Sequence, residues 1–322
     1  MIVDVDLVKA AVARRAGFVV PAATNVRRLV DGAGDDLDGV VVDRYGDVVR
    51  VELWARQWPD NLDDIAAVLE KNGGDHVVAI LRTGAGKSEQ RVVRGVVPAA
   101  HVVVEDGLRL LVRVADEAAV GSGVFVDQRV GRRVVRDAAR GKVVVNLFAH
   151  AGAFGVAAAV GGAARVDHVD MAKKCAPWAA TNLALNGVDP RKHRFLVEDA
   201  LHVLQKLAKK GSGDGKGGAG VIVIDPPTQA VRKDGSRFVL KDALEELAFQ
   251  ACQALDDGGL LLLSCNDRDV SVARVVELAQ RGAFGAGRDV ESAVELPLPD
   301  DCTSQHVSGK ARSMRGCVLR LR

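Results

Sequence analysis

The chain is short of aromatic residues, which make up 4% of its 322 positions, with a single Tyr and three Trp. So few rings exclude a nucleic-acid binder that works mainly by stacking bases on aromatic platforms. An excess of one charge is also missing. The 44 Lys and Arg against 42 Asp and Glu leave a formal net charge of +2, which permits a polyanionic partner without arguing for one. The five cysteines, Cys175, Cys252, Cys265, Cys302 and Cys317, form no CxxC pair and no metal-ligand spacing with the seven His. An odd number of scattered thiols reads as reduced cysteine in a cytoplasmic protein, with no metal expected. No stretch approaches the roughly 20 apolar residues of a membrane span. The N-terminus, MIVDVDLVKAAVARRAG, carries Asp4 and Asp6 and no long apolar segment, so no signal peptide is expected.

Nucleotide fingerprints are lacking as well. "TGAGKSEQ" (83–90) has Leu81 where GxxxxGK[ST] needs its first Gly, which excludes a P-loop triphosphatase. The Gly-rich "KKGSGDGKGGAG" (209–220) is followed by no helix and reads as a flexible surface loop. "NLFAHAGAFG" (146–155) is a glycine turn but not GxGxxG, so NAD or FAD is a poor fit.

What is present is a change of pattern near residue 120. Residues 1–120 read as a small α+β domain: two strands around Tyr45-Gly46-Asp47, a helix in 61–73, then the strands "HVVAILRT" and "RVVRGVV". Residues 121–322 alternate strands and helices. "KVVVNLF", "RVDHVD", "HRFLVED", "VIVID" and "GGLLLLSCN" are the strands, with helices at 155–164, 173–187 and 200–210 between the first four. Such alternation implies an α/β fold with a parallel, doubly wound sheet.

Asn146, Asp170, Asp199 and Asp225 close four successive strands at spacings of 24, 29 and 26 residues. Open α/β sheets bind ligands at these carboxyl ends. Asp170 is placed to accept from ribose hydroxyls and Asp199 from an adenine amino group, so a nucleoside-containing cofactor is expected. Asp225 is delivered by four buried β-formers to a rigid Pro226-Pro227 corner, since neither proline can continue a ladder.

These stretches, with "DPPT", "VEDA" and "GVFVDQR" (123–129), resemble class I S-adenosylmethionine-dependent methyltransferases over roughly residues 24–322. More narrowly they are similar to large-subunit ribosomal RNA methyltransferases of the RlmI and RlmK types. The resemblance implies a Rossmann-like domain with a mixed, mostly parallel seven-stranded sheet behind a smaller N-terminal domain. It implies S-adenosyl-L-methionine as cofactor and ribosomal RNA as partner, and leaves a homodimer open. Phe148 and Gly152 would line the methionine part, and Gln128 and Arg129 its carboxylate end. Asp170 would meet the ribose, Asp199 and Ala200 the adenine, and Met171 would be a further cofactor contact. Asp225, Pro226, Pro227 and Thr228 would face both the sulfonium and the target base. Asn146 stands where an acid often ends the first strand. The PUA domain of the RlmI type is expected to be absent, the first 23 residues being too few.

Cys265 separates two chemistries. Carbon 5 of cytosine is not nucleophilic, so its methylation needs a thiolate to add at carbon 6. Guanine N7 has its own lone pair and needs only positioning, with Asn266 helping to hold the base. Cys265 is equally readable as a small buried residue ending a core strand. Two other classes stay open: a small-molecule or protein methyltransferase on this fold, and a cofactor-binding RNA-assembly factor without turnover. The basic 303–322 segment reads as a last strand or as a phosphate contact, and His150 as a solvated loop residue.

Overall fold

Asp4 starts the first helix by accepting from the N–H groups of Asp6 (2.9 Å) and Leu7 (3.2 Å). Helix α1 (Val5–Ala16) precedes strands β1 (Val26–Asp31), β2 (Val40–Tyr45) and β3 (Val48–Trp54), helix α2 (Leu62–Lys71), and strands β4 (His76–Gly84) and β5 (Lys87–Arg94). The computed structural model describes residues 2–18, 21, 23–84, 87–115, 121–211, 218–227, 229–231, 237–267, 269–303 and 314–322. The five strands pair in chain order, antiparallel except for β3 on β4, where α2 makes the crossover. Val49, Val51 and Leu53 alternate onto the face that packs with Val8 and Val12 of α1 and Ile65 and Leu69 of α2. A hairpin of β6 (His101–Glu105) and β7 (Leu108–Val112) follows.

The chain forms two compact units: Met1–Asp127 with Leu298–Ser313, and Gln128–Pro297 with Met314–Arg322. A linear division at residue 120 makes no provision for this return. Two sets of polar contacts within the first unit account for it. The buried Tyr45 hydroxyl accepts from Ser122 Oγ (2.7 Å) and donates to the Val124 carbonyl (3.1 Å). Asp301 Oδ2 accepts from the Arg28 N–H (2.9 Å), and its carbonyl accepts from Arg15 Nε (2.8 Å).

The second unit begins with α3 (Arg129–Ala138), then β8 (Val143–Leu147), α4 (Ala153–Val160), β9 (Arg165–Val169), α5 (Cys175–Leu185), β10 (Arg194–Leu196), α6 (Ala200–Gly211) and β11 (Ala219–Ile224). A small hairpin, β12 (Gln229–Val231) and β13 (Arg237–Val239), leads to α7 (Leu240–Ala254), β14 (Leu255–Cys265), α8 (Val272–Gly285), β15 (Val290–Leu296) and β16 (Arg315–Leu321). The large sheet has the order β10-β9-β8-β11-β14-β16-β15. Its first five strands are parallel, and β16 is antiparallel to both neighbours. The expected mixed, mostly parallel seven-stranded sheet is present. The chain winds outward from β8 to β10 and then returns to β11 beside β8, so the switch point lies between the tips of β8 and β11.

Helix α4 starts two residues before the expected position and ends at Gly161, where an added Cβ would lie 2.1 Å from the Arg136 carbonyl oxygen. The last strand holds Arg315 and Arg320, whereas Lys310 and Arg312 of the same basic segment lie outside the described residues. So do 212–217 of the Gly-rich loop and Thr228 of the Asp225 corner. Among the described residues no helix is long and apolar enough to cross a membrane, and no cluster of His, Cys, Asp and Glu has a metal-holding arrangement.

Candidate active site

The first turn after β8 is built from unusual backbone. Phe148 (φ 54°), His150 (φ 47°) and Gly152 (φ 79°) are all left-handed, two of them without the freedom of glycine. Such strain persists only where surrounding contacts determine it, and it concentrates at functional sites. The contacts are visible. The Ala149 N–H donates to the Val169 carbonyl (2.9 Å), and the His150 N–H donates to Asp170 Oδ2 (2.9 Å). Gly152 approaches α5 so closely that a Cβ would fall 2.6 Å from Ala179 Cβ.

Asp170 follows β9 and is half-buried; its second oxygen accepts from the Ala172 N–H at 2.8 Å. Met171 beside it is half-buried. Asp199 lies at the head of α6 and accepts from the His202 N–H (3.1 Å), with Ala200 buried as the first helical residue. Asp225 follows β11. Its Oδ1 accepts from Gln128 Nε2 at 2.7 Å and from the Ser264 hydroxyl by a short hydrogen bond. Gln128 and Arg129, at the head of α3, are both buried. The structure therefore brings Gln128 to Asp225, and Asp170 to the turn containing Phe148 and Gly152.

Asn146 does not sit at a strand tip. It lies one residue inside β8, 2% exposed, in register with His168 on β9 and Val223 on β11. Its Nδ2 and the Oε1 of Gln128 have no hydrogen-bond partner among the described residues. Buried amide atoms left unpaired near a ligand-binding switch point are what a polar cofactor would satisfy.

Cys265 and Asp225 face opposite sides of the sheet. Ile222, Ile224, Leu261, Leu263 and Cys265 all belong to one core, with Leu244 of α7 and Val275 of α8. Because side chains alternate, Val223 on β11, like Leu262 and Ser264 on β14, belongs to the other face, and Asp225, just past the end of β11, is hydrogen-bonded to Ser264 there. Cys265 is 1% exposed, and burial pushes its thiol up to about 11. Pro226 is buried, Pro227 half-buried and Asn266 exposed at the end of β14.

Three features escape a reading of the sequence. Ser264, fully buried, is signalled only as a hydroxyl ending a run of leucines. His168 is buried and stacked on Phe195 with ring centroids 5.1 Å apart, and burial holds it down at about 3. His150 is not a solvated loop residue: it is half-buried against Trp178, at 5.2 Å, and burial lowers its pKa. A small cavity lined by Ala149, His150, His168, Asp170, Cys175 and Phe195 lies beneath α5, sharing only Asp170 with the expected cofactor residues.

The family model for S-adenosylmethionine-dependent methyltransferases matches residues 27–301. "Ribosomal RNA large subunit methyltransferase I" of Shewanella denitrificans is 29% identical over 310 residues, covering 91% of this chain and 74% of that protein. A "Ribosomal RNA large subunit methyltransferase" of Deinococcus radiodurans is 30% identical over 293 residues, covering 87% and 70%. The K/L protein of Methylococcus capsulatus is 35% identical over 214 residues, 66% of this chain but 27% of that much longer protein. Among solved structures, SMU.776 complexed with SAH superposes with a TM-score of 0.83 at 24% identity, over 98% of this chain and 80% of that one. The SAM-dependent methyltransferase from Agrobacterium tumefaciens gives a TM-score of 0.66 at 24% identity, over 94% and 92%. The sheet order, the carboxylates at its tips and the match over most of the length converge: the chain belongs to the S-adenosylmethionine-dependent methyltransferases, in the group related to the large-subunit ribosomal RNA enzymes of the I and K/L types.

Proposed function

We propose that this protein transfers a methyl group from S-adenosylmethionine to a base of large-subunit ribosomal RNA, the acceptor being a ring nitrogen such as guanine N7. The bound cofactor supplies an electrophilic methyl on a sulfonium. Asp170, its carboxylate fixed by two backbone N–H groups, would hold the ribose, with Asp199 and Ala200 around the adenine and Met171 as a further cofactor contact. Phe148, Gly152, Gln128 and Arg129 would surround the methionine portion. The unpaired Gln128 Oε1 and Asn146 Nδ2 offer an acceptor and a donor, which suits a ligand carrying both an ammonium and a carboxylate. Asp225 and the Pro226-Pro227 corner would face the reacting centre.

The placement of Cys265 carries the choice of acceptor. A thiol held near pKa 11 on the far face of the sheet from Asp225 is a poor nucleophile at neutral pH. This supports direct attack by a lone pair on the base, with catalysis by alignment and electrostatics. The ribosomal substrate rests on the relatives named above. The test is incubation with methyl-labelled cofactor and unmodified large-subunit RNA, followed by nucleoside analysis. Label on a purine ring nitrogen is expected. Label on carbon 5 of cytosine, or on no RNA, overturns the reading.

A further inference from the structure

Helix α5 buries Cys175, Trp178, Ala179, Asn182 and Leu183, which are spaced as one helical face. Four of them are apolar and suit a core. The fifth, Asn182, is an amide with 0% exposure, where Leu or Ala would be better both as a helix former and as a buried group. A buried amide is tolerated when it is hydrogen-bonded, and this one reaches far along the chain. Its Nδ2 donates to the Ala151 carbonyl, 31 residues earlier, at 2.8 Å.

Ala151 belongs to the turn after β8, between the left-handed His150 (φ 47°) and Gly152 (φ 79°). Its carbonyl and the Gly152 N–H are the two ends of one planar peptide unit. The N–H end donates to the Ala149 carbonyl at 2.7 Å, and the C=O end accepts from Asn182. The plane is therefore held at both ends. It is also the part of the turn most able to swing. A half-rotation changes ψ of Ala151 and φ of Gly152 together, and carries Gly152 out of the left-handed region into the ordinary negative range. Glycine does not resist this, because it populates both signs of φ. One neutral backbone bond is a modest restraint, and Asn182 supplies a second from a packed helix. The same helix places Ala179, one turn earlier, directly against Gly152.

We infer that Asn182 is a positioning residue for the cofactor-binding turn: its amide locks the peptide between Ala151 and Gly152 in the orientation that the ligand meets. This rests on the reading that Phe148 and Gly152 surround the methionine portion of S-adenosylmethionine, and adds a residue to it. Asn182 touches neither cofactor nor base; its effect passes through the turn. The lock acts on the binding surface and not on the groups that face the transferred methyl. Cofactor affinity therefore carries its effect, and the rate at saturation does not.

Calorimetric binding of S-adenosylhomocysteine to the full-length protein, read beside thermal midpoints, tests this on three variants. Asn182→Leu keeps the bulk without a donor, and Asn182→Ala removes the group. Each is expected to weaken binding about tenfold or more, with KM for the cofactor rising while kcat stays within about twofold. Leu183→Ala, fully buried on the same helix, is the control for stability alone. Its midpoint is expected to fall at least as far, with affinity within about twofold of wild type. Asn182 variants that fold and bind like wild type, or a Leu183 variant that loses as much affinity, overturn the inference. Should neither Asn182 variant fold, hydrogen exchange at the Gly152 amide of the wild-type protein decides. Protection of about 100-fold or more is expected of a locked plane, and exchange near the unprotected rate overturns it. Wild-type protein that takes up no S-adenosyl ligand defeats the cofactor reading instead. Exchange at Gly152 that is faster in Asn182→Ala than in wild type then still supports the lock, and unchanged exchange overturns it.

Discussion

Gln128 and Asp225, 97 residues apart in the chain, are joined by a hydrogen bond of 2.7 Å in which the amide N–H donates to the carboxylate. The bond ties the head of the second unit's first helix to the end of a central strand. It also leaves the Gln128 carbonyl oxygen buried and unpaired. Gln128→Leu keeps the volume and removes both functions. It is expected to weaken S-adenosylmethionine binding about tenfold or more, as loss of a buried hydrogen bond to a charged group should. Isothermal titration with the cofactor checks this; unchanged affinity would remove Gln128 from the site.

Asp170 is the acceptor for two backbone N–H groups, from His150 and Ala172, and so organises the turn as well as the expected ribose contact. Asp170→Ala is predicted to lower cofactor affinity by about 10- to 100-fold, or roughly 1.5–3 kcal/mol. Asp170→Asn should lose less, because one oxygen remains to accept. Equilibrium dialysis with labelled cofactor separates the three proteins.

Gly152 combines a left-handed φ of 79° with a Cβ position 2.6 Å from Ala179 Cβ. Alanine there adds both backbone strain and a clash with α5. Gly152→Ala is expected to destabilise the fold by about 2 kcal/mol and to abolish detectable cofactor binding at micromolar concentrations. Urea unfolding gives the first quantity and calorimetry the second.

Burial holds His168 in the folded protein down at about 3. In the unfolded chain it titrates near the usual value of about 6.5. Between these values the unfolded state binds a proton that the folded state refuses, so this group makes stability fall as pH falls. The slope from one such residue is about 1.4 kcal/mol per pH unit well below pH 6.5, and nearly zero above pH 7. His168→Phe keeps the stack on Phe195 and removes the titration. Its stability relative to wild type is therefore predicted to rise between pH 7 and pH 5 in urea melts. A constant difference would contradict the neutral buried form.

Much of the second unit was legible because its strands announce themselves. Val221 to Ile224 and Leu260 to Leu263 have no polar alternation, as strands buried on both faces must not. Their terminal carboxylates are visible for the same reason, as single charges at the end of apolar runs. The antiparallel edge strand Val290–Leu296 was not legible. Glu291, Ser292, Val294 and Glu295 are exposed, so little hydrophobic pattern marks it. Asp301 gives no sign of its partners either, since Arg15 and Arg28 lie 286 and 273 residues away. Register decided what composition left open at Cys265. One step along β14 separates a hydroxyl on Asp225 from a thiol in the opposite core.

That single step makes Cys265 the sharpest test. Single-turnover methyl transfer by Cys265→Ala, on the same large-subunit RNA as the wild-type protein, addresses the proposed chemistry directly. A rate within about threefold of wild type, with no covalent protein–RNA species on denaturing gels, is the predicted result. A loss of about 1,000-fold or more in a folded, cofactor-binding variant would contradict it and assign the thiol to the reaction.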